Sequence, residues 1–437
     1  MKILVLSRAA VGTKMASPGI RAYQIAGALG RAIPEAEVTL AIPGDRGEIA
    51  LPAPNVRIQA WESNGQAAFL AANHDVAVSR NFPPQFVRLM GKTLLALDAF
   101  TPLYVEWMEL SRRDFPPGLR RTWMASNRWY LNMQLTLADF MFCADERQRD
   151  MWIGMLMALA LVPPDMYERD PSLRKFIDIV PYGVSQRPLD ARGPVLRGVV
   201  PGIEPGDRVL LWNGGITEWN DATTLLQAMD RLAGRRPEVK LVFMGVNHPD
   251  FAFGPEAGVT KRAIELAREL GLENRNVFVL SGWVPYERID DYLAEADAGV
   301  CLGYENVESR FAFRTRYVDL FRARVPLLCT RGDVLAERVA EDPLGITVPE
   351  RDVDAVVAGI ERLLDDAEFA GQCRQNLGRI AGELAWDVAV EPLADFCRAG
   401  ESWAMPPHRR RFDACTRGAW YLGLKTITRG RGLRSTP

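Results

Sequence analysis

The sequence predicts an α/β protein made of two Rossmann-like αβα domains in tandem. Short apolar runs alternate with longer amphipathic stretches, the pattern of strands and helices in a parallel, doubly wound sheet. The alternation runs once to about residue 180 and starts again near 209, across a stretch rich in Pro, Gly and Arg that lacks periodicity. At 437 residues the chain is also long for a single core.

In the first series Lys2–Ser7 reads as a strand, followed by the loop AAVGTKMASPG and a helix over Ile20–Arg31 with Ile20, Tyr23, Ala26 and Leu29 on one face. Strands follow at Val38–Ile42, Val56–Ile58, Val76–Ser79, Leu94–Leu97, Ala138–Cys143 and Ile177–Val180, with helices at Pro117–Thr136 and Asp145–Leu161. In the second series the strands are Val209–Trp212, Lys240–Met244, Val277–Leu280, Ala298–Leu302, Pro326–Cys329 and Gly345–Val348. The resulting division is a first domain over 1–184, a linker over 185–207, a second domain over 208–385, a helix over 386–404 and a basic tail over 405–437. Two such domains form a bilobal protein whose cleft would hold a ligand.

Composition excludes several classes. A net charge of −2 gives no reason to expect nucleic acid. The six cysteines are scattered without CxxC pairs, against a zinc site or disulfide framework and for a reducing, cytoplasmic setting. The N-terminal apolar run is too short for a signal peptide, and Met151–Val162 too short to span a bilayer. From Met405 onward eight Lys/Arg stand against one acid, interleaved with Trp420, Tyr421, Leu422, Leu424 and Ile427. That composition suits either peripheral contact with an anionic membrane or a solvated tail.

The densest chemistry lies in Glu305–Leu328, where a buried strand releases Glu305, Glu308, Arg310, Arg314 and Arg316 into a loop that opens a helix bearing Asp319. A loop of this kind at a strand's carboxyl end is where open α/β sheets bind ligands, and arginines favour an anion there. Further turns at strand ends are Asn213-Gly214-Gly215, Met244-Gly245 and Ser281-Gly282-Trp283; their glycines either allow close backbone approach to a ligand or merely make tight turns. In the first domain Gly19, in Ser17-Pro18-Gly19, stands where a helix N-terminus could receive a phosphate, or where Ser17 simply caps the helix. Asp98 either faces an acceptor or caps a loop. Trp123, Trp129, Tyr130 and Trp152 are either an acceptor platform or, as helical aromatics more often are, core.

These segments, in this order, resemble the GT-B glycosyltransferases, specifically the retaining family 4 enzymes called glycosyl transferases group 1. The matching stretches are MASPGIRAYQIAGALGRAIPEAEVTLAIPG, VPYGV at 180–184, GGITEWNDATTLLQAM, GWVPYERIDDYLAEADAGV and VDLFRARVPLL, spanning most of 1–385. The resemblance implies a nucleotide-diphosphate sugar as co-substrate, no metal, and a glycan, lipid-linked or cell-envelope acceptor. It places Asp319 on the ribose, where the family carries the second Glu of its E-x7-E motif. The first Glu falls on Phe311, which leaves Glu308, or else Glu305, as the sugar-facing carboxylate. The family's diphosphate-clamping Arg/Lys pair is replaced by Gly215 and Trp219-Asn220, so Arg314 and Arg316, with the Thr315 backbone, are the substitutes. Gly214, Gly215, Gly19, Gly245 and Trp283 complete the expected nucleotide-sugar site.

Of three histidines, His74, His248 and His408, none stands clearly at that edge. An inverting transferase needs a base, whereas a retaining front-face reaction passes the acceptor proton to the leaving phosphate, so the His-poor, Arg-rich site fits retention. The missing clamp and Phe311 also motivate a second reading, a non-catalytic binding or partner subunit of the same fold.

Overall fold

The computed structural model describes residues 1–44, 49–246, 258–280 and 282–429. The chain forms two compact units, Met1–Gly183 with Trp386–Pro437, and Val184–Ala385. The first holds strands β1 (Lys2–Leu6), β2 (Glu37–Pro43), β3 (Val56–Trp61), β4 (Val76–Ser79), β5 (Leu94–Asp98), β6 (Phe140–Cys143) and β7 (Ile177–Ile179). They form one parallel sheet in the order β3-β2-β1-β4-β5-β6-β7. The second unit holds β8 (Arg208–Asn213), β9 (Val239–Met244), β10 (Val277–Val279), β11 (Ala298–Cys301), β12 (Leu327–Thr330) and β13 (Gly345–Val348). Its order is β10-β9-β8-β11-β12-β13, again all parallel. The connection reverses between β8 and β11, so the loops leaving these two strands diverge and open a crevice at their carboxyl ends.

Helices on both faces explain why the strands read as unbroken apolar runs. Leu210, Trp212, Leu241 and Phe243 pack against Leu225, Leu226, Met229 and Leu232 of the helix Ala222–Ala233. Asp221 starts that helix by accepting from the Thr224 amide (3.0 Å) and hydroxyl (2.7 Å).

Several expectations change on sight of the packing. The stretch 185–207 is strapped to the second unit by acids of the segment before β11. Asp290 accepts from Asp190 N, Asp291 from Arg192 N, and Glu295 from the amides of Val195, Leu196 and Arg197, all between 2.5 and 3.0 Å. Residues without periodicity are thus ordered by carboxylates about a hundred positions away. Asp98 neither faces a ligand nor caps a loop. It is 5% exposed and grips Arg21 in a two-pronged pair at 2.8 and 2.9 Å, while Arg21 also donates to Val180 O and Pro181 O. The helix Ser17–Ala32 carries no side-chain cap, because its first helical residue is Ser17 and the cap position falls on Ala16. Trp123 and Trp152 are core.

The C-terminal segment is folded through residue 429. Its helix Pro407–Arg429 lies along the helix Pro117–Leu137. Trp420 stacks on Trp129 and Tyr421 packs against Tyr130, with centroids 5.9 and 4.8 Å apart. Arg410 is 1% exposed, pairs with Asp139 at 2.6 Å and donates to Thr136 O and Ala138 O. At least one of the basic residues is therefore a buried structural anchor; Arg431 and Arg434 lie outside the described residues. Among the described residues no helix is long and apolar enough to cross a membrane.

Candidate functional site

The site grows from the carboxyl end of β8. Gly214 has φ +123° and Gly245, after β9, has φ +74°, backbone conformations that side chains rarely adopt. Gly214 N donates to Met244 O at 2.8 Å, tying the two strand ends together. A Cβ on Gly245 would lie 3.7 Å from Gly214 Cα and from the Trp283 ring, so the turns after β8, β9 and β10 converge.

The fourth wall is the helix Thr315–Arg322, which follows a short helix, Val307–Phe311, started by a reciprocal cap between Asn306 and Ser309. Tyr317, Val318, Leu320 and Phe321 are its buried side; Arg316 and Asp319, three apart, share the other. Arg316 Nη2 donates to Gly215 O at 2.9 Å, its guanidinium lies 5.2 Å from the Trp212 ring centroid, and its carbonyl accepts from Asn213 Nδ2 at 3.0 Å. Among the described residues, Arg316 Nη1, Asn213 Oδ1 and Trp212 Nε1 are buried without hydrogen-bond partners. Each such group costs about 1–3 kcal/mol when left unmet, and three around one glycine turn mark a place built to receive polar atoms.

Asp319 is half-buried, and among the described residues nothing hydrogen-bonds its carboxylate. Burial pushes its pKa up to about 6; Arg322 opposes the shift and Asp290 adds to it. A carboxylate kept from water yet unpaired can gain from accepting hydroxyl donors.

Glu308 and Arg314 stand differently from expectation. Glu308 is 2% exposed, and both its oxygens are taken by Arg314, at 2.9 and 2.7 Å. Each group neutralises the other, so neither offers a free charge to a sugar or a diphosphate while the pair holds. Arg314 also lies 4.0 Å from Asp333, whose carboxyl burial pushes up to about 6 and which accepts from Tyr317 Oη at 3.2 Å. Glu305 is exposed, its amide bonded to Glu350. Thr315 is the first residue of the Arg316–Asp319 helix.

Gly19 is required for steric reasons. A Cβ there would meet Ala10 O at 2.1 Å, so the helix and the loop after β1 fit only with glycine. His74 is buried between Leu70 O and the Thr39 hydroxyl, and His408 belongs to the C-terminal helix; His248 and Ser281 lie outside the described residues. Sequence reasoning overlooked Asn213 as a site group and the Tyr317–Asp333 pair. Their signal was present: an Asn closing a buried strand, and an Asp three residues beyond another. Among the described residues no group of three or more His, Cys, Asp or Glu is placed to hold a metal ion.

Two parallel αβα units, with a glycine turn and an arginine-bearing helix at the switch point of the second, define the GT-B glycosyltransferase fold. Residues 199–379 match the family Glycosyl transferases group 1. Similar solved structures include sucrose-phosphate synthase from Thermosynechococcus elongatus, 16% identical with TM-score 0.64, covering 91% of this chain and 98% of that one. WaaG, a glycosyltransferase involved in lipopolysaccharide biosynthesis, is 15% identical with TM-score 0.59 over 91% and 98% of the two chains. Anabaena HepE in complex with UDP-glucose is 14% identical with TM-score 0.61 over 91% and 100%. No curated protein matches the chain by sequence.

Proposed function

We propose that the chain is a retaining, metal-independent hexosyltransferase of family 4, moving a sugar from a nucleotide-diphosphate donor to a glycan, lipid-linked or cell-envelope acceptor. The observation that carries this reading is Arg316 Nη1 beside the Gly214–Gly215 turn, unmet among the described residues, with the Asp319 carboxylate, likewise unpaired among them, on the same helix face. Arg316 offers its Nη1 and its charge to the diphosphate while Nη2 stays on Gly215 O, Gly214 and Gly215 let the backbone approach it, and Asp319 accepts from ribose hydroxyls. The solved complex of HepE with UDP-glucose supports a donor of this class. In the reaction the acceptor hydroxyl bonds to the anomeric carbon on the face the diphosphate leaves. The carbon–oxygen bond to phosphate breaks with its electron pair on the phosphate oxygen, which takes the acceptor's proton. The protein contributes position and charge, and Arg316 stabilises the negative charge as it develops.

The test is incubation with UDP-, GDP- and dTDP-hexoses, followed by NMR of the product anomer with and without EDTA. An unchanged anomeric configuration and indifference to EDTA support the reading; inversion, or loss of turnover on chelation, refutes it. The Glu308–Arg314 pair and Phe311 favour one alternative, a nucleotide-sugar-binding partner subunit. Nucleotide binding without hydrolysis or transfer of any donor would select it.

A peripheral role at the inner face of an anionic membrane belongs to the same reading. Phe412 and Trp420 are 76% and 56% exposed on the helix that also bears exposed Arg409 and Arg411. Co-sedimentation with phosphatidylglycerol vesicles, lost on Phe412→Ser with Arg409→Ser, checks it.

A further inference from the structure

The first unit contains a pocket that the donor reading does not use. It has a cavity volume of about 290 Å³ and lies between the loops after β1, β3 and β4, the helices Leu103–Asp114 and Pro117–Leu137, and the C-terminal helix. That volume stands at the small end of small-molecule sites, enough for one sugar ring. Its lining includes Asn127, 9% exposed, whose amide nitrogen is buried and has no hydrogen-bond partner among the described residues. An orphan donor in a pocket asks for an acceptor oxygen from a ligand.

Two cations flank it. Arg8 donates to Asn64 Oδ1 at 2.8 Å and pairs with no carboxylate among the described residues. Lys425, from the C-terminal helix, donates to the Tyr421 hydroxyl at 2.6 Å. No described residue lining the pocket is acidic. Trp107, Tyr130 and Tyr421 provide aromatic surface, and burial raises the Tyr130 phenol well above its ordinary range, so it remains a neutral hydroxyl. Carboxamides, phenols and ring faces suit a hydroxyl-rich ring, and the paired cations suit a negative substituent on it.

We propose that this pocket binds an anionic sugar, one bearing a phosphate or carboxylate, and that the C-terminal helix exists in part to complete it. The ligand's charge sits between Arg8 and Lys425, and one of its oxygens accepts from Asn127 Nδ2. Identifying this ligand as the acceptor end of the transferred glycan rests on the proposed function; the binding site itself does not.

The experiment measures binding of glucose 6-phosphate, mannose 6-phosphate and glucuronate to the full-length protein by calorimetry, with glucose and mannose as neutral comparators. At least one anion is expected to bind about tenfold or more tightly than its neutral parent, and the sugar phosphates against glucuronate tell phosphate from carboxylate. Arg8→Ala and Lys425→Ala should each lower the anion's affinity about tenfold and leave neutral sugars unaffected. Asn127→Leu should weaken both kinds. Lys425 is half-buried and lies outside the apolar core, so its variant is expected to fold and remains informative if Asn127→Leu does not. The proposal is overturned if no anion exceeds its parent, or if Arg8→Ala and Lys425→Ala bind as the wild type does. An anion captured by Arg316 instead would show as that second outcome. The same variants should bind nucleotide diphosphates normally, so failure here leaves the donor site standing, and failure of the donor site shows only in the nucleotide titration.

Discussion

Asp319→Asn should make the ligand-free protein more stable at neutral pH. Burial raises the Asp319 carboxyl from 3.8 to about 6 in the folded chain. A rise of about two pKa units, at about 1.4 kcal/mol each, sets an upper bound near 3 kcal/mol on the cost of ionising it. The carboxylate is only half-buried, so about 1–2 kcal/mol is the expected remainder after solvent screening. The sign follows from linkage: the folded pKa lies above the unfolded one, so the folded state holds the proton more tightly. The group costs nothing below about pH 4, its penalty grows as the pH rises, and it is complete above about pH 6. Asparagine has nearly the same shape and never pays that penalty. Thermal melts from pH 4 to 8 should show the variant level with wild type at the acid end. At pH 7.5 it should lead by about 2–8 °C, the shift that about 1–2 kcal/mol gives a unit of this size. With saturating nucleotide the order should reverse, because the amide is a poorer acceptor for hydroxyl donors. A variant no more stable than wild type at pH 7.5, or a gap independent of pH, would refute the reasoning.

Arg316→Ala should lower nucleotide-diphosphate affinity by about 10- to 100-fold in calorimetry, the worth of a charge-assisted hydrogen bond, with little change in ligand-free stability because an orphan donor is removed along with the Gly215 contact. Glu308→Gln should cost about 3–5 kcal/mol in urea unfolding by stranding Arg314 in its buried setting, and Glu308→Leu combined with Arg314→Met should recover most of it. Gly19→Ala should destabilise by about 1–3 kcal/mol through the clash with Ala10 O and leave nucleotide binding intact. Lost binding at unchanged stability would instead restore Gly19 to a phosphate role.

The two sheets were legible because parallel strands buried on both faces leave unbroken apolar runs, and each predicted strand is present with small shifts at its ends. The convergence of Gly214, Gly245, Trp283 and Arg316 was legible for a related reason, since all parallel strands discharge their loops at one edge. Illegible were the pairings that depend on distance in space alone. Nothing in the order of residues says that Arg314 is consumed by Glu308, that Arg21 and Asp98 meet across 77 positions, or that Glu295 holds the backbone at 195–197. The basic C-terminal run misled because charge is read as solvated, whereas Arg410 finds an aspartate and carbonyls in the interior. The pocket beside Lys425 was equally hidden, because its wall comes from both ends of the chain.

The central claim is that the turn after β8 and the Arg316–Asp319 face hold a nucleotide diphosphate. Its most direct test is titration of UDP, GDP and dTDP into wild type and into Arg316→Ala combined with Asp319→Ala. At least one nucleotide should bind wild type with micromolar affinity, and the double variant should lose it by about a hundredfold or more. No binding by any of the three, or equal binding by both proteins, would contradict the claim.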